Sequence, residues 1–194
     1  MKAKPDKKMK LTAYHEAGHA VASFLLHVDT INAISVIPDE VSEGRTHHSA
    51  PGRNYHPDYD DSPRTRSKTE KRIMSYLAGD VAESLLLKWK KLNTNLTDYQ
   101  KAVDLASYQC DGEPDETGAY VTFLYYKTRN LLRRAENWTA ISDLASILIE
   151  RRRIGRREFY PLIRKSLRRS TTARKIVDAP KKYISAVSGS ESPD

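Results

Sequence analysis

The sequence predicts a mainly α-helical domain carrying one small β ribbon or sheet. Apolar residues recur at intervals of three and four along most of the chain. One stretch, residues 30–38 (Thr-Ile-Asn-Ala-Ile-Ser-Val-Ile-Pro), instead alternates apolar with polar side chains and is rich in β-branched residues. With 39% hydrophobic and 30% charged residues, the composition is that of a globular chain. Its 194 residues suit one domain with a sizeable core.

The elements follow in order. Residues 1–10, with five Lys and Pro5, read as a flexible basic arm. Residues 11–28 form a helix, because Leu11, Tyr14, Gly18, Val21, Ala22, Leu25 and Leu26 share one face. Residues 30–38 form a strand stopped by Pro38. Residues 39–66 are polar and proline-rich and read as a long loop with one short strand near residues 44–48. Such a loop inside a compact domain is more often functional than idle. A second helix starts at the capping box Ser67-Lys68-Thr69-Glu70, and a third at Thr97-Asp98-Tyr99-Gln100. Residues 111–118 hold Gly112, Pro114 and Gly118 and read as a connector. Residues 119–153 are helical with a break near Asn137, Gly155 serves as the glycine that ends this helix, and residues 157–168 form a last short helix. The domain is thus expected over residues 11–169. Residues 170–194 are expected to be a basic, then Ser-rich, disordered tail.

The net charge of +8 is uneven: residues 127–182 carry 17 Lys/Arg against five Asp/Glu, and the rest of the chain is slightly acidic. Basic helices of this kind are a surface for an acidic partner or for nucleic acid, or simply a solvated face. No apolar stretch reaches the roughly 18 residues of a membrane-crossing helix. The apolar run near the N-terminus is interrupted by His15, Glu16 and His19, which excludes a secretory signal. The single Cys110 cannot form an internal disulfide and is no obvious nucleophile. A cytoplasmic protein with no membrane partner is the expectation.

The chemistry lies in His15-Glu16-Ala17-Gly18-His19, an HExxH motif inside the first helix. Residues four apart stack on one helical face, so His15 and His19 can offer ring nitrogens to one metal ion. Two imidazoles and a carboxylate suit Zn2+ and leave a fourth position open for water, with Glu16 beside it as general base. The third ligand is not in the motif, because the glycine and third histidine of the metzincin extension are absent. Glu83, Asp98, His47, His48 and His56 remain as candidates, whereas His27 is expected to cap the helix end.

The residues around the motif extend the reading. Thr12-Ala13-Tyr14-His15-Glu16-Ala17-Gly18-His19-Ala20-Val21 resembles the zinc-site helix of the FtsH-type ATP-dependent metalloproteases. Ile34-Ser35-Val36-Ile37-Pro38, then Gly44-Arg45-Thr46, resembles that family's two strands. Leu77-Ala78-Gly79-Asp80-Val81-Ala82-Glu83 resembles its Leu-Ala-Gly-x-x-Ala-Glu helix. Residues 97–106 resemble its Asn-Asp-x-x-x-Ala-x-x-Leu-Ala segment, with Thr97 in place of the usual Asn, and residues 144–155 its C-terminal helices.

The resemblance, over residues 10–168, implies a helical zincin-type metallopeptidase domain of the FtsH protease kind. It implies His15, His19 and Asp98 as zinc ligands, Glu16 as catalytic base, and Glu83 as a partner of a ligand histidine or the alternative ligand. It also implies that an extended peptide lies along the strands, with Ile34, Val36, Gly44 and Thr46 as the substrate-binding residues. No Gly is followed by Lys, so the phosphate loop of the family's motor is not found. The expectation is a free-standing, ATP-independent endopeptidase for unfolded or flexible polypeptides. Its partners would be the substrate and either further copies of itself or a separate ATPase. The alternative is a regulatory or non-catalytic metal-binding module whose basic C-terminal helices hold an acidic partner or, less expectedly, nucleic acid.

Overall fold

A computed structural model describes residues 6–38, 44–49, 54–88 and 96–170. Six helices and three strands follow in the order α1 (Lys7–Leu26), β1 (Ile31–Ser35), β2 (Arg45–His48), α2 (Pro63–Leu86), α3 (Leu96–Ser107), α4 (Pro114–Leu132), α5 (Ala135–Arg151), β3 (Arg153–Gly155) and α6 (Arg156–Ser170). The fold is therefore mainly helical with a small antiparallel sheet, as the hydrophobic periodicity requires. No described helix is long and apolar enough to cross a membrane.

Two hydrophobic clusters organise the helices. The larger one packs Ala13, Ala17, Ala20 and Val21 of α1 against Ala78, Val81 and Ala82 of α2, Ile141, Leu144 and Leu148 of α5, and Phe159 and Ile163 of α6, with Ile34 of β1 and Ile154 of β3. The smaller one joins Ile73, Met74 and Leu77 of α2 to Ala102 and Ala106 of α3 and Val121 and Leu124 of α4. Helices α1 and α2 cross closely because small residues line the crossing. A Cβ on Gly18 would sit 2.5 Å from the Ala78 carbonyl oxygen and 2.7 Å from Ala82 Cβ. Alanine-lined helices with glycine at the contact approach until backbone meets side chain.

The sheet order is β2-β1-β3. A bulge between Ile31 and Ala33 interrupts the pairing with β2. It turns Asn32 outward and buries the adjacent Ala33 and Ile34 together, which simple alternation does not anticipate. Strand β3 is three residues long, too short for any periodic signal, and pairs Ile154 with Ile34.

Several boundaries depart from the sequence reading, each for a local reason. Residues 7–10 belong to α1 rather than to a flexible arm, since Lys10 N–H already bonds to the Asp6 carbonyl at 3.0 Å. The helix ends at His27, whose φ of 53° puts it in the left-handed region expected of a cap. Helix α2 begins at Pro63, not at the box around Ser67. Ser62 caps it by accepting from Thr65 N–H at 3.3 Å, and the Asp60 carboxylate accepts from Ser62 N–H at 3.0 Å. Proline likewise opens α4 at Pro114, so most of the expected connector is helix and Gly118 lies within it. The break in the C-terminal helices falls at Arg133–Arg134. Asn137 lies in the first turn of α5, where its side-chain amide donates to the Leu131 carbonyl at 2.7 Å. Gly155 does not end α5; Arg152 does, with φ 68°, and Gly155 belongs to β3. The expected tail beyond residue 170, residues 1–5 and parts of the long loop lie outside the described residues.

Candidate active site

The metal-binding geometry is assembled by three helices. Helix α1 supplies His15, Glu16 and His19, all buried because this face of α1 lies against α2 and the sheet. The two imidazoles meet edge-on, with ring centroids 4.6 Å apart and Nε2 atoms 3.0 Å apart. Helix α3 brings Asp98 in its first turn, where the helix dipole favours a carboxylate. Asp98 Oδ2 stands 3.3 Å from His15 Nε2 and 3.2 Å from His19 Nε2. Its other oxygen accepts from Lys101 Nζ at 3.0 Å.

Helix α2 sets the tautomers. His19 Nδ1 lies 2.8 Å from the Ser75 carbonyl oxygen, an atom that only accepts, so Nδ1 carries the proton and Nε2 holds a lone pair. His15 Nδ1 lies 3.0 Å from Glu83 Oε1 and 3.8 Å from Asp80 Oδ1, again a donor facing acceptors. With both outer nitrogens facing acceptors, the neutral form of each ring directs its Nε2 lone pair toward Asp98 Oδ2. Buried acceptors that converge with no donor among them repel one another, and a cation removes that repulsion. These three are the described side chains whose ligand atoms lie close enough together to hold an ion, all within 4.8 Å of one another. Two imidazoles and one carboxylate are a donor set that could hold a divalent metal ion.

Titration behaviour has the same origin. Burial alone would depress the His15 imidazolium, but Asp98, Glu83 and Glu16 outweigh burial and raise it to about 10. Burial would raise the Asp98 carboxyl, but the bonds to His15 and His19, with Lys101 nearby, hold it well below the usual carboxylate range. The metal-free cluster thus takes up a proton where a metal ion would sit.

Gly79 makes this approach of α2 feasible. A Cβ there would lie 2.5 Å from His15 Cε1, His15 Nε2 and His19 Nε2, inside both ligand rings. The glycine of the Leu-Ala-Gly segment therefore reserves space for the ligands, a role its sequence context does not reveal. One turn earlier, Ser75 holds His19 through its carbonyl and meets Ser23 Oγ through its own hydroxyl at 2.6 Å.

The remaining expected site residues divide sharply. The side chains of Ile34 and Val36 are both buried in the core, Ile34 on the middle strand β1 and Val36 just beyond its end. Among the described strands, β2 is the edge strand whose residues reach Glu16. Thr46, expected to touch substrate, donates its hydroxyl to Glu16 Oε2 at 2.8 Å, with the Glu16 carbonyl 3.1 Å away. Gly44 packs over Glu16 itself, since a Cβ on it would lie 3.0 Å from Glu16 Cγ. Glu83 faces the outer nitrogen of His15, on the side away from the converging donors. His47 is exposed on β2, His48 is half-buried beside it, and His56 stacks on Tyr59 with centroids 4.8 Å apart. None of the three joins the cluster with His15 and His19. Burial raises the Cys110 thiol above its ordinary value, which disfavours the thiolate form.

An HExxH helix, a carboxylate from a neighbouring helix as third candidate ligand and a small sheet beside the glutamate define a metallopeptidase-type centre. Peptidase family M41 matches residues 2–111, and the chain belongs to that family. Among curated proteins, it is 37% identical over 83 residues to the ATP-dependent zinc metalloprotease FtsH 2 of Alkaliphilus metalliredigens, covering 42% of this chain and 11% of that protein. A second relative, the ATP-dependent zinc metalloprotease FtsH of Veillonella parvula, is 36% identical over 83 residues, 42% of this chain and 12% of its own. The likeness to the FtsH of Ruminiclostridium cellulolyticum is longer and more distant, 27% over 188 residues, 77% of this chain and 29% of that protein. The chain thus spans less than a third of the length of each of these relatives.

Proposed function

We propose that this chain is a zinc-dependent metalloendopeptidase that hydrolyses peptide bonds in unfolded or flexible polypeptides. One observation carries the reading: His15 Nε2, His19 Nε2 and Asp98 Oδ2 converge with their lone pairs inward while Glu16 lies beside them. Zinc bound by these atoms would supply an acidified water and a polarised scissile carbonyl. Glu16 takes the proton from water and returns it to the departing amine, the double duty of a general base and acid. Asp98 offsets part of the metal's charge and leaves a net positive centre. Glu83 and the Ser75 carbonyl keep both imidazoles in the ligating tautomer. An edge strand such as β2 can hold an extended backbone of any sequence by main-chain hydrogen bonds, which favours unfolded substrates over folded ones.

The test is casein cleavage by zinc-loaded protein without ATP. The wild type should cut and lose activity to a chelator, and Glu16→Gln should bind zinc yet not cut. Zinc-loaded wild type that leaves casein and a broad set of unstructured peptides intact would refute the enzyme reading. The second reading, a metal-holding interaction module, draws on the exposed basic face of α6, with Arg157, Arg164, Lys165 and Arg168 on one stripe. Salt-sensitive binding of an acidic partner together with zinc binding and no turnover would favour it.

A further inference from the structure

We infer that Thr46 is a positioning residue for Glu16, tying the base to the edge strand that receives the substrate. This rests on the peptidase reading and assigns Thr46 a task within it. Three observations converge. The Thr46 hydroxyl has one proton, and the nearer of its two acceptors is Glu16 Oε2 at 2.8 Å, the other being the Glu16 carbonyl at 3.1 Å. It therefore bridges the two ends of one residue and fixes the side chain relative to its own helix. Gly44, two residues earlier, lies against Glu16 Cγ, and any Cβ there would press on Glu16 Cγ, Thr12 Cγ2 and the Ser35 carbonyl. The carboxylate and its methylene are thus gripped from one side by β2. Finally, along β2 the side chains of Thr46 and His48 turn inward while those of Arg45 and His47 face solvent. The Thr46 backbone pairs with Ile34, and β2 is an edge strand of the described sheet.

A glutamate with three rotatable bonds otherwise reaches many orientations, and only those pointing at the reacting water are productive. The hydroxyl removes most of the rest. Because the same residue belongs to β2, a peptide added to that strand is held in a fixed relation to the base.

The experiment compares wild type, Thr46→Val and Thr46→Ser. Valine keeps the shape and loses the donor, and serine keeps the donor. In Thr46→Val, kcat should fall about 10- to 100-fold, the scale of one hydrogen bond to a charged group, with KM within about twofold. Zinc affinity should match wild type, and Thr46→Ser should recover most of the rate. Binding of acetohydroxamate to the zinc-loaded proteins gives a readout that needs no turnover. Its hydroxyl proton requires a correctly aimed Glu16 acceptor, so affinity should fall in Thr46→Val and in Glu16→Gln and return in Thr46→Ser. Unchanged kcat and unchanged acetohydroxamate affinity in Thr46→Val would overturn the inference, as would a rise in KM alone, which marks a substrate contact. Loss of zinc in Thr46→Val would overturn it in favour of a structural role. If no variant cuts any peptide, the peptidase reading fails, while the acetohydroxamate comparison still decides whether Thr46 aims Glu16.

Discussion

Replacing Gly79 with alanine asks for the smallest change that this site should refuse. The added methyl carbon would stand 2.5 Å from three ring atoms of His15 and His19. Carbon and nitrogen normally touch at roughly 3.5 Å, so about 1 Å of displacement is required. The rings cannot swing away cheaply, because their outer nitrogens are held at Glu83 and at the Ser75 carbonyl, both on the helix that carries the new methyl. Either α2 retreats from α1 or both ligands leave their positions. Overpacking of this kind costs about 1–3 kcal/mol, which for a chain of this size lowers Tm by about 2–12 °C. Disturbed ligand orientation should weaken zinc binding at least as much as loss of an outer-shell partner does, about 10- to 100-fold. Zinc titration calorimetry and thermal melting of the metal-free protein measure the two effects separately. Gly118 is the internal control: it also lies within a helix, yet a Cβ there meets nothing within 4 Å. Gly118→Ala should be neutral or stabilising by up to about 1 kcal/mol, with zinc binding unchanged. A Gly79→Ala protein with wild-type Tm and zinc affinity would refute the reasoning that Gly79 reserves space for the ligands.

Other substitutions separate ligand, support and scaffold. Asp98→Asn should weaken zinc binding more than Glu83→Gln, whose loss should be about 10- to 100-fold, because one removes a charged donor and the other only steadies His15; competition with a chromogenic chelator reads both. Asp29 and Arg72 form a buried ion pair at 2.6 Å, so Asp29→Ala strands a buried guanidinium and should cost about 3–5 kcal/mol in urea unfolding. The Asp60 carboxyl is held below its ordinary value by the Thr65 hydroxyl and then the Ser62 N–H. A depressed folded-state value means that its stabilisation is present above the unfolded value and is lost as pH falls through the folded one. Asp60→Asn should therefore flatten the acid limb of the stability profile, measured by melting from pH 6 down to about pH 3.

The helical architecture and the two histidines were legible because both rest on local periodicity. Residues four apart on a helix share a face whatever surrounds them, so His15 and His19 could be paired from spacing alone. Asp98 lies 79 positions beyond His19 and could be singled out only through resemblance, since no spacing rule joins residues on separate helices. The strand near residue 34 was found by its alternation, but its place in the middle of the sheet depends on β3. Strand β3 consists of Arg153, Ile154 and Gly155 and has no pattern to read. Without that partner in view, the burial of Ile34 and Val36 on the inner side of the sheet has no sequence signal. Thr46 was noticed as a strand residue, and its bond to Glu16 appeared only when the turn of β2 brought it over the first helix. Helix starts failed where two caps competed: Ser62-Pro63 and Ser67 both fit, and the proline one turn earlier prevailed.

The position of the centre relative to the two hydrophobic clusters carries a consequence for the protein as a whole. Helix α1 belongs to the larger cluster, α3 to the smaller, and α2 to both. An ion held by His15, His19 and Asp98 would therefore stitch one core to the other across their seam, a cross-link between segments distant in sequence. The stitch exists only in the folded chain, so free metal concentration would set how firmly α3 stays docked. In metal-poor surroundings the proposed metal centre would come apart first at α3, with the larger cluster still intact. Loss of the ion would then act as a switch on activity well before it acted as a cause of unfolding.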